Sequence, residues 1–97
     1  MIDFTVVARE RLSPTSATSF TAANILPTQK RTIYVRIQAL NGNIWYTTDG
    51  TTVTSLTGFK LPENSVIEIW TAGAISNFSC IDDADGGDLE CKYMGRA

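Results

Sequence analysis

The chain has 97 residues, 43% of them hydrophobic, with eight basic and ten acidic side chains and a net charge of −2. That length makes one domain, which buries only about two-thirds of its unfolded surface, and the composition excludes global disorder. The basic residues are scattered, with only Lys30 and Arg31 adjacent, which argues against a nucleic-acid binder that must replace phosphate counterions.

The chain opens with Met1-Ile2-Asp3, a carboxylate where a secretory signal needs positive charge. No stretch approaches the roughly 20 apolar residues that span a bilayer. The expectation is a chain folded in a cytoplasm, without a membrane partner. Phe4, Val6 and Ala8 then alternate with Thr5, Val7 and Arg9, so residues 3–9 read as a strand closed by the polar run Arg9-Glu10-Arg11. Residues 13–28 are rich in Ser, Thr and Ala, with Pro14 and Pro27 near the ends. Long structureless segments are unusual in a compact domain, so a short strand over 18–22 is expected in preference to a mobile arm. Phe20, Ile25 and Leu26 are its apolar anchors.

The clearest pattern follows. Ile33, Val35, Ile37 and Ala39 alternate with Tyr34, Arg36 and Gln38, a period of two that puts an aliphatic row on one strand face and a polar row on the other. Asn41-Gly42-Asn43 is a turn whose residues tolerate positive φ. Residues 44–48 resume the extended pattern, and Asp49-Gly50 ends it. A Thr-rich run leads to Gly58-Phe59-Lys60-Leu61-Pro62, and residues 66–70 make another strand. Val66, Glu68 and Trp70 share one face, Ile67 and Ile69 the other. Residues 71–74 turn the chain into a further strand over 75–81. An acidic, glycine-containing loop over 82–88 precedes the last strand, 89–94.

Strand candidates recur about every ten to thirteen residues, separated by turn chemistry. The expected fold is therefore all-β, a small antiparallel sandwich or jelly-roll-like barrel of about six to eight strands with little helix. One domain spans 1–97. Its N-terminal strand lies in 1–12 and is open to exchange between subunits; the Ser/Thr/Ala-rich segment occupies 13–30 and the core strands 31–97.

Candidate chemistry is thin. Asp83, Asp85 and Asp88 could offer oxygen ligands to calcium, but Gly87 stands where the helix–loop–helix pattern wants a carboxylate or amide. A hairpin loop made soluble by its charges is the simpler expectation. Cys80 and Cys91 would face each other across that hairpin, as two reduced, buried thiols in the absence of any sign of an oxidising compartment. With no histidine, Ser-His and Cys-His dyads are excluded and zinc is poorly served. Glu63, Glu68 and Glu90 have no common cleft to make them a carboxylate pair. The expectation is no enzyme and no cofactor. Of Trp45 and Trp70, one is expected on an outer face, where an aromatic stacks sugars or marks a subunit interface.

The order R-x-I-x-V-x-I, G-x-I-W-Y, T-x-x-T-G-F-x-L-P, I-x-I-W and L-x-C-x-Y resembles small β-sandwich structural proteins of tailed bacteriophages, the decoration or head-associated proteins. The matching positions are Arg31, Ile33, Val35, Ile37, Ile44, Tyr46, Thr57, Gly58 and Leu61, within residues 18–94. Glu63-Asn64 departs from the pattern, which usually carries a glycine there. The resemblance implies a virion protein, assembled in a bacterial host cytoplasm, that oligomerises and binds a major capsid or other virion protein. A trimer is the leading expectation, with residues 2–8 and 13–28 in contact and Phe4, Val6, Phe20 and Trp70 at the interface. The alternative is a carbohydrate- or receptor-binding module of a tail or surface protein.

Overall fold

The computed structural model describes residues 4–21, 32–54, 57–83 and 86–96. Seven strands run in chain order: β1 (Phe4–Leu12), β2 (Thr32–Leu40), β3 (Ile44–Thr47), β4 (Phe59–Leu61), β5 (Val66–Ile69), β6 (Ser79–Asp82) and β7 (Asp88–Arg96). One short helix, α1 (Ala72–Ser76), lies between β5 and β6. The strands form two antiparallel sheets, β1-β7-β2-β5 and β4-β3-β6. The fold is all-β, as expected.

Strand register explains the core. Across the four-stranded sheet, Ala8, Tyr93, Val35 and Ile69 stand in one row, and Glu10, Cys91, Ile37 and Ile67 in the next. Leu12, Leu89 and Ala39 make a third. These rows pack against Ile44, Leu61, Phe78 and Cys80 of the opposing layer. Full burial of an Ile, Leu or Phe side chain contributes about 1.5–3 kcal/mol, so these rows carry the stability. Two extra residues, Val7 and Ile33, interrupt the ladders to β7 where the register slips. Such bulges bend a strand and increase its twist.

One side of the sandwich is closed by the chain itself. After Leu12 the backbone crosses to β6, where Thr18 and Cys80 exchange two hydrogen bonds of 2.9 Å and Asp82 N–H donates to the Pro14 carbonyl. Phe20 then enters the core, stacked on Phe78 with centroids 4.0 Å apart. Thr18 makes an isolated bridge rather than the expected strand over 18–22, and residue 22 lies outside the described residues, as do Ile25, Leu26 and Arg31.

Four local expectations are corrected. Strand β1 continues through Arg9-Glu10-Arg11 instead of closing there. The Glu10 carboxylate reaches the core side, where it accepts from Tyr93 Oη and from Thr21 N–H and Oγ1. Residues 71–76 form a capped helical turn, with Thr71 Oγ1 accepting from Ala74 N–H, so the strand expected over 75–81 begins only at Ser79. Phe59–Leu61, not expected as a strand, is an edge strand paired with β3. Finally, β6 and β7 are no hairpin: the acidic loop carries the chain from one sheet to the other.

At the departure from the phage pattern, Asn64 has φ +69°. Asparagine tolerates this left-handed conformation.

Because β6 and β7 belong to different layers, Cys80 and Cys91 do not sit opposite each other on paired strands. Cys80 pairs with Tyr46, and Cys91 with Glu10 and Ile37. Both are free and buried. Burial pushes the Cys80 thiol up to about 12 and the Cys91 thiol in the same direction. Folding thus favours the neutral thiols: their contribution is present below the ordinary thiol value and is lost as pH rises through the folded one. Thiolate is the reactive form. At pH 8, alkylation by iodoacetamide is expected to be negligible in the native protein and complete at two sites in denaturant, read by mass. Rapid native labelling would contradict this burial.

Candidate functional site

The outward face of the four-stranded sheet is built from the rows that alternate with the core. Val6 pairs with Met94, which pairs with Tyr34. Trp70 follows Ile69, the partner of Val35, and completes this apolar row. The next row is Arg9, Lys92, Arg36 and Glu68, and the one after it Arg11, Glu90, Gln38 and Val66. Apolar and charged bands therefore lie side by side.

Three rings gather in the apolar band. Tyr34 stacks on Trp70 at 4.1 Å between centroids, and Phe4 meets both edge-on at 5.3 and 5.8 Å. Edge-to-face and offset-stacked contacts at these separations are favoured by the ring quadrupoles. Tyr34 is buried although it belongs to the polar row of its strand. Trp70 is held in place by its Nε1, which donates to Glu68 Oε1 at 3.1 Å, while Arg36 donates to Glu68 Oε2 at 3.0 Å. These hydrogen bonds, from Arg36 first and Trp70 second, hold the Glu68 carboxyl below its ordinary value.

The charged band is unbalanced. Four cations, Arg9, Arg11, Arg36 and Lys92, face two carboxylates, on a chain whose net charge is −2. Arg36 pairs with Glu68 and Arg11 with Glu90, both at 3.0 Å. Among the described residues, neither Arg9 nor Lys92 has an ion-pair partner, although they are direct cross-strand neighbours. Like charges placed opposite each other are destabilising.

A groove of about 370 Å³ runs between β5 and the three-stranded layer, lined by Tyr46, Phe59, Ile67, Trp70, Thr71 and Ala74 among others. Tyr46 and Phe59 tilt together at 5.7 Å, and burial raises the Tyr46 phenol above its ordinary value. Part of the polar lining, which also includes Thr48, is already engaged. Glu68 serves Arg36 and Trp70, and Thr71 Oγ1 caps α1.

Of the residues expected at an interface, Phe4 and Val6 are each 38% exposed and Trp70 47% exposed, and they converge on one patch. Phe20 is the exception, at 4%. It fills the chain's own core and is not available to a partner. Of the two tryptophans Trp70 is the exposed one, whereas Trp45 is half-buried with its Nε1 buried and without a hydrogen-bond partner among the described residues. Trp45 alternates with buried Ile44, lies between Lys60 and Ile81, and has the Lys60 Nζ 5.8 Å from its ring centroid.

The acidic loop is occupied with structural tasks. Asp88 accepts from Ser13 Oγ at 2.8 Å and from Asn41 Nδ2 at 3.1 Å, bonds that hold its carboxyl below the ordinary value. Asp83 Oδ2 accepts from Asn43 at 3.4 Å, and Asp85 lies outside the described residues. Among the described residues no three metal-ligating side chains gather.

Sequence reasoning missed Tyr34, Met94, Phe59 and Val66 as parts of this surface. The available signal was the Val66, Glu68, Trp70 alternation, which already placed Val66 beside Trp70 on one face. Among the described residues, no helix is long and apolar enough to cross a membrane. Comparison of the chain with family models, with curated proteins and with solved structures finds no match.

Proposed function

We propose that this chain is a structural assembly protein of a phage virion, a capsid decoration or head-associated subunit that oligomerises and binds the shell without catalysing a reaction. One observation carries the assembly reading. The exposed large hydrophobics among the described residues are Phe4, Val6, Phe59, Val66 and Trp70, and each lies on β1, β4 or β5 or immediately after β5. These three are the outermost strands of their sheets, apart from β6, whose free edge is covered by Thr18. Natural proteins protect open edges with charge, proline or cover. Large apolar side chains there instead suit pairing with another subunit.

The virion assignment rests on the resemblance of the strand pattern, and mass spectrometry of purified virions from the encoding phage tests it. Recovery of the chain in stoichiometric amount with the shell is the expected result. Its absence from the particle would overturn the assignment.

The groove lined by Tyr46, Phe59 and Trp70 favours a second reading, a sugar- or receptor-binding module. Sugars need convergent hydrogen-bonding groups beside the aromatic platform, and Glu68 and Thr71 are committed elsewhere. An apolar side chain of a protein suits this groove better. Glycan-array binding abolished by Trp70→Ala or Trp45→Ala would reverse that preference; no glycan binding is the expected result.

A further inference from the structure

We infer that copies of this chain join head to tail, the β1 edge of one pairing with the β5 edge of the next and continuing the four-stranded sheet across the junction. This inference rests on the assembly reading and adds the partner surfaces and their register.

Three antiparallel steps separate β1 from β5 in the order β1-β7-β2-β5, so the two strands run in opposite directions. A neighbouring copy displaced sideways within the sheet plane therefore presents its β1 to β5 in antiparallel sense, the arrangement already used throughout the sheet. Continuing the rows across the junction sets the register. Glu68 meets Arg9 of the next copy and Val66 meets Arg11, because those residues end the same rows, and Trp70 reaches Val6 past the bulged Val7. On the core side, Ile69 meets Ala8. Ile67 meets the Glu10 position, whose carboxylate is held by Tyr93 and Thr21.

Charge selects this junction over the symmetric ones. Glu68 is the acidic end of a row whose other members are all cations, and Arg9, at the opposite end, has no ion-pair partner among the described residues. Head-to-tail pairing brings these two ends together. Pairing β1 with β1 across a twofold would instead set the Arg9 and Arg11 band of one strand against the same band of the other. Pairing β5 with β5 about a twofold at Glu68 would set that carboxylate on its own copy. Like charges directly opposite are destabilising, and wrong pairings are suppressed by such contacts.

The junction also covers Val6, Trp70 and Val66, three of the exposed apolar side chains. A heterologous contact of this kind closes into a ring when its rotation allows and otherwise propagates as a filament.

The test uses full-length chains carrying single cysteines, Arg9→Cys and Glu68→Cys, at exposed positions. The native thiols are buried. Side chains directly opposite on antiparallel strands bring their Cβ atoms to about 4.5–5.5 Å, near disulfide range. Mixed and mildly oxidised, the two variants are expected to give a covalent heterodimer at least about tenfold more abundant than either self-crosslink. Light scattering on the unmodified protein reports assembly separately. Assembly without the Arg9→Cys to Glu68→Cys crosslink, or with self-crosslinks dominant, overturns the head-to-tail register and leaves the assembly reading standing. A monomer that yields no crosslink overturns both.

Discussion

Phe20→Ala is expected to destabilise the fold by about 3–5 kcal/mol, the range for deleting a well-packed aromatic side chain. The ring is 4% exposed. It lies 4.0 Å from Phe78 in a stack with a 4° interplanar angle and meets Tyr93 edge-on at 5.7 Å. Both neighbours are anchored on strands of opposite sheets or beside them, so they cannot both collapse into the space left behind. The residual cavity adds to the lost transfer energy.

The change also acts on the closed side of the sandwich. Without the ring, residues 13–21 keep the Thr18–Cys80 and Pro14–Asp82 backbone bonds, the Ser13–Asp88 bond and the Glu10 contacts with Thr21. Urea unfolding should show a lowered midpoint, and limited proteolysis should open first within 13–21. A midpoint shift equivalent to less than about 1 kcal/mol would mean that Phe20 does not plug the core.

Gly42→Ala should cost about 2–4 kcal/mol for a different reason. A Cβ at this position would stand 2.2 Å from the Gly86 carbonyl oxygen and 3.2 Å from its carbon, and φ is +150°. The obstacle is backbone, so no rotamer change relieves it. Two of the connections between the sheets, at Asn41-Gly42-Asn43 and at Gly86-Gly87, would have to separate. Asp83 N–H donates to the Asn43 carbonyl across this contact, so the clash reaches a hydrogen bond as well.

Gly73→Ala is the matched control. Nothing lies within 4 Å of its added carbon, and alanine in place of glycine inside a helix is worth roughly 0.5–1 kcal/mol in the stabilising direction. Thermal melting of both variants checks the pair. Equal melting temperatures would contradict the close approach of the two connections.

The parts of the fold legible in the sequence are those where local pattern and tertiary role agree. The alternation over 35–39 is the clearest case, because β2 is flanked by β7 and β5 and buries Val35, Ile37 and Ala39 of the aliphatic row it advertises. Helix α1 was illegible because five residues make too little helix for a period of 3.6 to register, and Thr-Ala-Gly-Ala reads equally as a turn. The supposed hairpin around the acidic loop failed for a related reason. The same Asp/Gly chemistry serves a turn within one sheet and a crossing between two, and only long-range pairing decides. Cys80 commits to Tyr46 and Cys91 to Ile37, partners that are distant in sequence.

The candidate surface was legible at Phe4, Val6 and Trp70. Tyr34 was hidden because its burial on an outer face comes from Phe4 and Trp70, which arrive from opposite edges of the sheet. Phe20 was misplaced because an isolated aromatic in a Ser/Thr-rich segment carries no periodicity to say which way it faces. Its environment is created by Phe78 and Tyr93.

Assembly through open, apolar strand edges is tested most directly by sedimentation velocity across a concentration series, comparing the unmodified protein with Val66→Lys. The unmodified 10.6 kDa chain should sediment as a discrete, concentration-dependent oligomer, and the variant, charged at the β5 edge but folded, should shift to the monomer. Two proteins that both remain monomeric over the whole series would contradict the account.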